Sequence, residues 1–299
     1  MRFSALRRTL AGAGLGLLGW TRPSLAAGSL AHGAPHAEKI GWHLSCSSYC
    51  FRLFSLFESM EKTVSLGLKY IDIYPGQRLG KEFGDSVLSA PPTAREQAAA
   101  KKWLADFGLR VGNYATMDYP PDIDGWRKLF DRLKEMEIDT FVTEPAERML
   151  DDVDKLCGEY RINLAIHNHP RPSHYWNPDI VLKAANGHSQ WIGACCDTGH
   201  WKRSGLDTVQ CMKKLHGRIK CFHFKDLVRE GGGYHDVPWG TGTCNVRGML
   251  QEAYRQKLKV EFCFEYEYHW ENSLPEMAPS VVYFDKVAKE IASGTSHVG

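Results

Sequence analysis

From about residue 40 onward, short apolar runs alternate with longer amphipathic segments. The short runs are rich in β-branched and aromatic residues, a composition that favours β-strands. Eight such runs occur, at residues 43–46, 70–74, 110–114, 140–143, 163–166, 191–196, 219–222 and 260–264. Strongly hydrophobic strands separated by helical segments are typical of a parallel sheet that is covered by helices on its faces.

The segments between these runs have the spacing of apolar residues that helices require. The predicted helical segments are 53–65, 93–107, 123–136, 146–160, 206–215 and 274–291. Gly67, Gly108 and Gly217 stand where helices would end, since glycine readily adopts the backbone conformation that closes a helix. Eight strand–helix units predict an α/β protein with a single-domain (β/α)8 TIM barrel. A doubly wound open sheet is the alternative fold.

The first 27 residues are predicted to be a signal peptide. Arg7 and Arg8 precede an apolar stretch at residues 9–20, and small residues at Ser24-Leu25-Ala26 provide a cleavage site. Paired arginines in this position are typical of twin-arginine export. We therefore expect an exported, periplasmic protein whose barrel domain covers residues 40–293.

Composition narrows the set of partners. The chain has 299 residues, and 37 Lys and Arg are balanced by 35 Asp and Glu. The net charge of +2 gives no long-range attraction to nucleic acid or to an anionic membrane, so we expect neither partner once the signal is removed.

The nine cysteines are an odd number, and several fall inside apolar runs where a free cysteine packs as a small hydrophobe. Only Cys46 and Cys50 are close enough for a local disulfide, and whether they form one stays open.

The candidate chemistry is concentrated where the later strands end. The last five apolar runs are followed by Glu144-Pro145, His167-Asn168-His169, Asp197-Thr198-Gly199-His200, His223-Phe224-Lys225-Asp226 and Glu265-Tyr266-Glu267. In a (β/α)8 barrel, polar residues at the C-terminal ends of the strands form the active site. Ionisable groups after five consecutive strands are difficult to explain as packing, because buried charges without partners are costly. The pattern therefore predicts a shared metal site.

The predicted metal ligands are His167, Asp197, His223 and Glu265. Strand-end residues of neighbouring strands converge because the strands tilt around a common axis. Mixed imidazole and carboxylate ligands suit one divalent ion such as Mn, Mg, Zn, Co or Fe. Glu267 alternates with Glu265 along the strand, so either could be the ligand, and Glu265 is preferred.

Four side chains near the predicted ligands are candidates for catalysis: Glu144, His200, Lys225 and Glu267. Glu144 could equally be a carboxylate at the start of a helix, where the helix dipole favours it. Lys225 could hold an enediolate oxygen, or it could support the site by pairing with Asp226 or Glu267. His200 follows Asp197 by three residues and could contact the substrate or a second metal.

These motifs resemble those of the xylose isomerase-like barrel superfamily over about residues 40–293. The resemblance is carried by Asp197-Thr198-Gly199-His200, His223-Phe224-Lys225-Asp226, Gly240-Thr241-Gly242 and Phe264-Glu265-Tyr266-Glu267. The superfamily contains sugar isomerases and epimerases, inosose dehydratases and apurinic-site endonucleases, and this chain is most similar to proteins described as sugar phosphate isomerase/epimerase. In its ketose epimerases, the metal ligands are Glu, Asp, His and Glu from strands five to eight. The resemblance therefore implies that Asp197, His223 and Glu265 are ligands and that His200 contacts the substrate.

The fifth strand departs from the epimerase pattern, because His167 stands where the ketose epimerases carry Glu. That Glu is one of two carboxylates that pass protons on opposite faces of the sugar, so its absence argues against simple C3 epimerisation. The inosose dehydratases have a histidine-rich fifth strand similar to His167-Asn168-His169. The endonucleases use three zinc ions, but the order and spacing of His235 and Asp236 do not match their third-zinc pair.

The expected function is a metal-dependent isomerase or epimerase of a sugar or keto-sugar that works through a metal-stabilised enediolate. A lyase or dehydratase of keto-sugars or 3-keto-glycosides would share that intermediate and is the alternative. A non-catalytic sugar-binding protein is a third hypothesis, against which the intact set of acids and histidines argues. The sequence contains no phosphate-cradling glycine motif, so the expected small-molecule partner is an unphosphorylated sugar. Members of the superfamily often form homo-oligomers, and the same is possible here.

Overall fold

A closed barrel of eight parallel strands forms the centre of the molecule, as predicted. The computed structural model describes residues 30–115 and 118–294, so the predicted signal peptide lies outside the described residues. In chain order the strands are β1 His43–Ser47, β2 Tyr70–Ile73, β3 Arg110–Ala115, β4 Thr140–Thr143, β5 Asn163–Ile166, β6 Ile192–Asp197, β7 Ile219–Phe224, β8 Leu227–Glu230, β9 Gly233–Asp236 and β10 Glu261–Phe264. All of them except β8 and β9 belong to the barrel.

The barrel follows the order β1-β10-β7-β6-β5-β4-β3-β2, and each neighbouring pair is parallel. It closes where Leu44 of β1 pairs with Phe262 of β10. The register places Asp197 beside His223, and His223 in turn beside Cys263. The C-terminal ends of β5, β6, β7 and β10 therefore meet in sequence around one side of the barrel mouth.

Ten α-helices lie among the described residues. They are α1 Pro35–Lys39, α2 Leu56–Ser65, α3 Ala94–Phe107, α4 Ile123–Glu135, α5 Leu150–Tyr160, α6 Pro178–Ala185, α7 Thr198–Arg203, α8 Thr208–Lys214, α9 Val246–Arg255 and α10 Leu274–Ala292. All six predicted helical segments contain one of them, but α1, α6, α7 and α9 were not predicted. The antiparallel hairpin of β8 and β9 was also not predicted, and Gly231 and Gly232 form its turn with positive φ angles.

Side-chain caps fix where the helices begin. The Ser55 hydroxyl accepts a hydrogen bond from the backbone N–H of Glu58, and the Glu58 carboxylate accepts one from the backbone N–H of Ser55. Thr93 and Glu96 form the same reciprocal pair at the start of α3. Such pairs satisfy backbone donors that a helix leaves free at its first turn. The helix predicted at residues 53–65 therefore begins three residues later, at Leu56.

The barrel interior below the mouth contains a network of polar side chains that hydrogen-bond to one another. Asn113 donates hydrogen bonds to Asp72 at 2.9 Å and to Glu261 at 2.5 Å, and the Ser45 hydroxyl donates to Glu261 at 2.8 Å. Burial, together with the negative charge of Asp72, holds the pKa of Glu261 well above its usual range. Gly112 leaves room for this carboxyl group, because a Cβ atom there would overlap with Glu261.

All nine cysteines lie in the described part of the chain, where they are buried and unpaired. Cys46 and Cys50 do not form the local disulfide that their spacing would allow.

None of the helices within residues 30–115 and 118–294 combines the length and the apolar composition that a membrane span requires.

Candidate metal centre

The four predicted metal ligands come together at the mouth of the barrel. His167, Asp197, His223 and Glu265 each offer one ligand atom, and these atoms all lie within 4.8 Å of one another. The residues stand at or directly after the ends of β5, β6, β7 and β10, which are consecutive around the barrel. All four side chains are buried. Glu265 lies in this cluster, whereas Glu267 does not belong to it.

His223 shows most directly that the cluster suits a cation. Its side chain is buried, and neither ring nitrogen has a hydrogen-bond partner within the described residues. Nδ1 lies 3.2 Å from Oε2 of Glu265. Burial alone would lower the pKa of His223, but the Glu265 carboxylate raises it above its ordinary value. Because an unpartnered buried polar group is costly, and imidazole nitrogen is a preferred metal donor, a divalent ion would satisfy this site.

Asp197 is held in place by its backbone and by both carboxylate oxygens. Its backbone N–H donates to the Asn168 side chain at 2.9 Å, and Asn168 donates back to the Asp197 carbonyl at 3.0 Å. Oδ1 accepts the backbone N–H of His200 at 2.7 Å and so caps α7. Burial alone would raise the pKa of Asp197, but the Lys225 ammonium, 2.6 Å away, holds it well below its usual range. Asp197 is therefore fixed in its ionised form.

Lys225 is completely buried beside two of the candidate ligands. Its ammonium group donates to Oδ2 of Asp197 at 2.6 Å and also to Oε2 of Glu265. Glu267 lies farther away, with 3.6 Å between Nζ and Oε1. Burial alone would lower the pKa of Lys225, but these carboxylates raise it well above its usual range. Lys225 thus supplies a fixed positive charge within the site.

Asp226 does not pair with Lys225, which was one of the two partners suggested for that lysine. Its Oδ2 accepts the backbone N–H groups of Gly240 and Gly242, each at 2.9 Å, and Oδ1 accepts that of Cys244 at 3.0 Å. A Cβ atom at Gly242 would overlap with the Asp226 carboxylate. Asp226 and the Gly240-Thr241-Gly242 turn therefore stabilise a loop rather than contribute to the metal cluster.

Glu144 lies beside the histidines of the fifth strand and not at the start of a helix. α5 begins only at Leu150. Oε1 of Glu144 accepts the backbone N–H of His169 at 2.9 Å and lies 2.5 Å from Nδ1 of His169 and 3.4 Å from Nδ1 of His167. Oε2 accepts the Ser173 hydroxyl at 2.7 Å. Burial alone would raise the pKa of Glu144, but these bonds lower it far below its ordinary value.

Arg203 links His200 to two carboxyl groups and was missed in the sequence. Its Nη1 lies 3.0 Å from Nδ1 of His200, and its Nη2 lies 3.5 Å from Asp236 and 3.8 Å from Glu267. Burial, together with the charge of Glu267, raises the pKa of Asp236 to about 8 although Lys225 and Arg203 oppose it. The spacing of three residues between His200 and Arg203 on α7 is the sequence signal that could have revealed this contact.

A cavity of about 450 Å³ opens over the cluster. Its polar wall consists of His167, His169, His200, His223, Glu265 and Glu267. The opposite wall comes from the first strands and the loops after them and consists of Ser47, Tyr49, Tyr74, Pro75, Gly76, Leu88, Ala90, Ala115 and Asp118. No lysine or arginine of the described residues lines it. Cavities of this size and mixed lining are typical of small-molecule sites.

The sequence of residues 60–284 matches the family model described as Xylose isomerase-like TIM barrel. No curated protein matches the chain. Among solved structures, a protein of Parabacteroides distasonis ATCC 8503 described as uncharacterized is 28% identical, with a TM-score of 0.67. The similarity covers 82% of this chain and 99% of that protein.

Two more distant structures share the fold alone. A D-tagatose 3-epimerase-like protein is 13% identical with a TM-score of 0.64, over 85% of this chain and 100% of that one. A xylose isomerase-like TIM barrel protein from Mycobacterium smegmatis, solved in complex with magnesium, is 16% identical with a TM-score of 0.64. It is matched over 84% of this chain and 97% of its own.

Proposed function

Because the chain belongs to the xylose isomerase-like TIM barrel family, we propose that it is a divalent-metal-dependent isomerase or epimerase of a sugar or keto-sugar. The observation that carries the proposal is the buried cluster whose ligand atoms lie within 4.8 Å of one another. His167, Asp197, His223 and Glu265 would hold one ion, with Mn, Mg, Zn and Co as candidates. The epimerase-like relative and the relative that binds magnesium support this assignment.

The bound ion would supply Lewis-acid stabilisation of the negative charge that develops on substrate oxygens. Lys225 acts from behind the cluster: its ammonium bonds to Asp197 and Glu265, and it does not line the cavity. Its fixed charge keeps both carboxylates ionised. Its role is therefore electrostatic support of the ligands, and not contact with an enediolate oxygen.

His200 is suited to donate a hydrogen bond to the substrate. The Arg203 guanidinium can only donate, so Nδ1 of His200 must be the acceptor of their 3.0 Å contact. In the neutral ring the proton is then on Nε2, which lies 3.5 Å from Oδ2 of Asp197. Burial holds the pKa of His200 well below its ordinary value, so the ring remains neutral. His200 lines the cavity and can donate from Nε2 to a sugar hydroxyl or carbonyl oxygen.

Glu267 is the proposed proton-transfer group. Its side chain borders the cavity and is 23% exposed, whereas Glu265 is buried within the cluster. Lys225 lies 3.6 Å and Arg203 lies 3.8 Å from its carboxylate oxygens. A carboxylate at this position can remove a proton from the carbon next to a carbonyl.

The cavity favours a neutral substrate. Phosphate recognition requires cationic side chains or backbone N–H groups, and no lysine or arginine of the described residues lines this cavity. The carboxylates of Glu265 and Glu267 would repel a phosphate group. The apolar wall, which includes Leu88 and Ala90, would pack against the less polar face of a sugar. We therefore propose an unphosphorylated sugar as the substrate.

A lyase or dehydratase is the second candidate, and the contacts of the fifth strand favour it. Epimerisation requires acid–base groups on both faces of the reacting carbon. His167 replaces the second carboxylate, and both oxygens of Glu144 are already hydrogen-bonded. Elimination from the same enediolate requires one base and a leaving group at the neighbouring carbon. A 3-keto-glycoside would provide both the acidic proton and the leaving group.

Proton NMR of the metal-loaded protein in D2O tests the function and separates its two forms. The panel contains unphosphorylated ketoses and 3-keto-glycosides. Deuterium at the carbon next to the carbonyl, without release of a fragment, is the result expected of an isomerase or epimerase. Release of the aglycone or formation of an unsaturated product would assign the lyase. A Glu267→Gln variant is the matched control and should lose exchange while it keeps the metal.

We also propose that the protein is exported through the predicted twin-arginine signal at residues 1–27. The nine buried, unpaired cysteines are compatible with a protein that folds in a reducing cytoplasm before transport. Replacement of Arg7 and Arg8 by lysine should keep the protein in the cytoplasm. Fractionation of cells that express the two forms tests this, and equal periplasmic amounts would contradict it.

A further inference from the structure

The contacts of Glu144 point to a role that the proposed function does not require, although it rests on the same metal site. We propose that Glu144 is a positioning residue that fixes the ring tautomers of both His167 and His169. It would thereby present an unprotonated Nε2 atom of His167 to the metal and one of His169 to the cavity. It would not itself exchange a proton with the substrate.

Both carboxylate oxygens of Glu144 are already engaged. Oε1 accepts from the backbone N–H of His169 and contacts the Nδ1 atoms of His169 and His167, while Oε2 accepts from Ser173. The side chain is only 16% exposed and does not line the cavity. A group with its oxygens bound to four donors and no access to the cavity cannot reach a substrate carbon.

The two ring nitrogens of His167 face different groups. Nδ1 lies 3.4 Å from Oε1 of Glu144, and Nε2 lies 3.7 Å from Oδ2 of Asp197. Both carboxylates can only accept, and the Glu144 oxygen is the nearer of the two, so the proton of the neutral ring belongs on Nδ1. The lone pair of Nε2 is then directed toward the cluster. Metal-binding histidines usually donate their other N–H to a carboxylate or carbonyl in this way, which fixes the ring and strengthens the ligand.

His169 is oriented by the same carboxylate. Its Nδ1 atom lies 2.5 Å from Oε1 of Glu144, so Nε2 is the ring nitrogen left for a ligand. The side chain is 41% exposed and lines the cavity. Its ring centroid lies 4.6 Å from that of His167 and 5.0 Å from that of His200. One carboxylate therefore sets the tautomer of a buried ligand and of an accessible imidazole beside it.

The loop after β5 holds Glu144 in this position. Ser173 donates to Oε2 at 2.7 Å, and the hydroxyl of buried Tyr175 donates to the Pro145 carbonyl at 2.7 Å. Both contacts join this loop to the end of β4. The chain following His169 thus anchors the carboxylate from the side opposite the two imidazoles.

The first test is the affinity for zinc, measured by titration calorimetry on the full chain without substrate. Glu144→Gln keeps the shape and one acceptor oxygen but removes the charge, and it should weaken zinc binding about tenfold; Glu144→Ala should weaken it up to about a hundredfold. Glu147→Gln is the matched control. Oε1 of Glu147 lies 2.7 Å from Nε2 of the exposed His174, and neither residue belongs to the metal cluster. This variant should leave the affinity unchanged.

The second test is the tautomeric state of the histidines, read from nitrogen-15 NMR of the metal-free protein. In the wild type, His167 and His169 should both carry the proton on Nδ1. In Glu144→Gln, the fraction of the Nε2-protonated tautomer should rise at both. Unchanged tautomers, or zinc affinity within twofold of wild type in Glu144→Gln, would overturn the proposal. Should Glu144→Ala fail to fold, the nearly isosteric glutamine variant still gives both readouts.

Neither readout depends on turnover of a sugar, so this proposal and the proposed function can fail separately. Suppose that no sugar reacts, but that Glu144→Gln binds zinc more weakly and shows more of the Nε2-protonated tautomer at His167 and His169. Glu144 is then a positioning residue, and the protein catalyses a different reaction. If sugars react and Glu144→Gln loses proton exchange at unchanged zinc affinity and tautomers, Glu144 takes part in proton transfer and the proposal is wrong.

Discussion

The two halves of the barrel mouth contain similar polar residue types but use them differently. Below the mouth, where β10 meets β1 to β3, Asn113 donates hydrogen bonds to the carboxyl groups of Asp72 and Glu261. On the side of β5 to β10, two carboxylates and two histidines meet, and His223 is left without a hydrogen-bond partner among the described residues. The first group is hydrogen-bonded within the protein, whereas a cation would complete the second.

The walls of the cavity repeat this division. The polar wall consists of histidines and glutamates, and the opposite wall is built from Tyr49, Tyr74 and small or apolar residues, with Asp118 as its one acid. The ring of Tyr49 lies 5.0 Å from that of Tyr74 in an edge-to-face arrangement. We infer that the polar half performs the chemistry and that the apolar half gives the substrate its shape-dependent binding. Four substitutions test this division, in order of decreasing effect.

Replacement of Lys225 by methionine should have the largest effect on the metal-free protein. It leaves Asp197 and Glu265 buried without their cation, a change that costs about 3–5 kcal/mol of unfolding free energy. A divalent metal should recover part of this loss, because it returns positive charge to both carboxylates. Chemical denaturation with and without Mn measures both effects. An equal loss in the two conditions would show that the cluster does not bind the ion.

Replacement of His223 by alanine should weaken metal binding by more than about a hundredfold, because changes to residues behind a ligand already cost about 10–100-fold. The metal-free protein should lose only the contact between Nδ1 of His223 and Oε2 of Glu265, which lie 3.2 Å apart. Titration calorimetry with Mn measures the affinity. A loss of less than tenfold would exclude His223 as a ligand.

Replacement of Asp236 by asparagine should remove a pH dependence of stability. The pKa of Asp236 is raised to about 8 from an ordinary value of 3.8, so between these values the folded state binds more protons than the unfolded state. Wild-type stability should therefore fall as pH rises through this window, by about 1.4 kcal/mol between pH 6 and 7 relative to the variant. Urea unfolding at the two pH values measures the difference, and parallel changes would contradict it.

Replacement of Tyr74 by alanine tests the apolar half and should have the smallest effect. Loss of an aromatic contact costs about 0.5–1.5 kcal/mol, so KM should rise up to about tenfold. Metal affinity should be unchanged, since Tyr74 belongs to the opposite wall of the cavity. Kinetics of the reactive sugar, together with a metal titration, separate the two. A variant that loses metal would show that the halves are not independent.

Much of this division could be predicted from the sequence because it follows from strand periodicity. Apolar runs followed by ionisable residues give both the barrel and the ligand set of His167, Asp197, His223 and Glu265, since the ends of parallel strands meet. Contacts between distant loops could not be predicted. The bonds of Glu144 with Ser173 and of Arg203 with Asp236 depend on loop conformations that carry no periodic signal.

The partners of the buried charged side chains could not be predicted from the sequence either. Lys225 and Asp226 are adjacent in the two-residue connection between β7 and β8, but their side chains bind different partners. Lys225 reaches Asp197 and Glu265, while Asp226 caps the turn at Gly240 and Gly242. The hairpin of β8 and β9 was missed because it follows β7 after only two residues, within what the pattern indicates as one loop.

Anomalous diffraction from crystals of the zinc-loaded protein tests the central claim most directly. We expect one zinc peak at the mouth of the barrel, about 2.0–2.2 Å from a nitrogen of His167, a nitrogen of His223 and carboxylate oxygens of Asp197 and Glu265. A peak bound only by Glu144 and His169, or no peak within this cluster at saturating zinc, would contradict it.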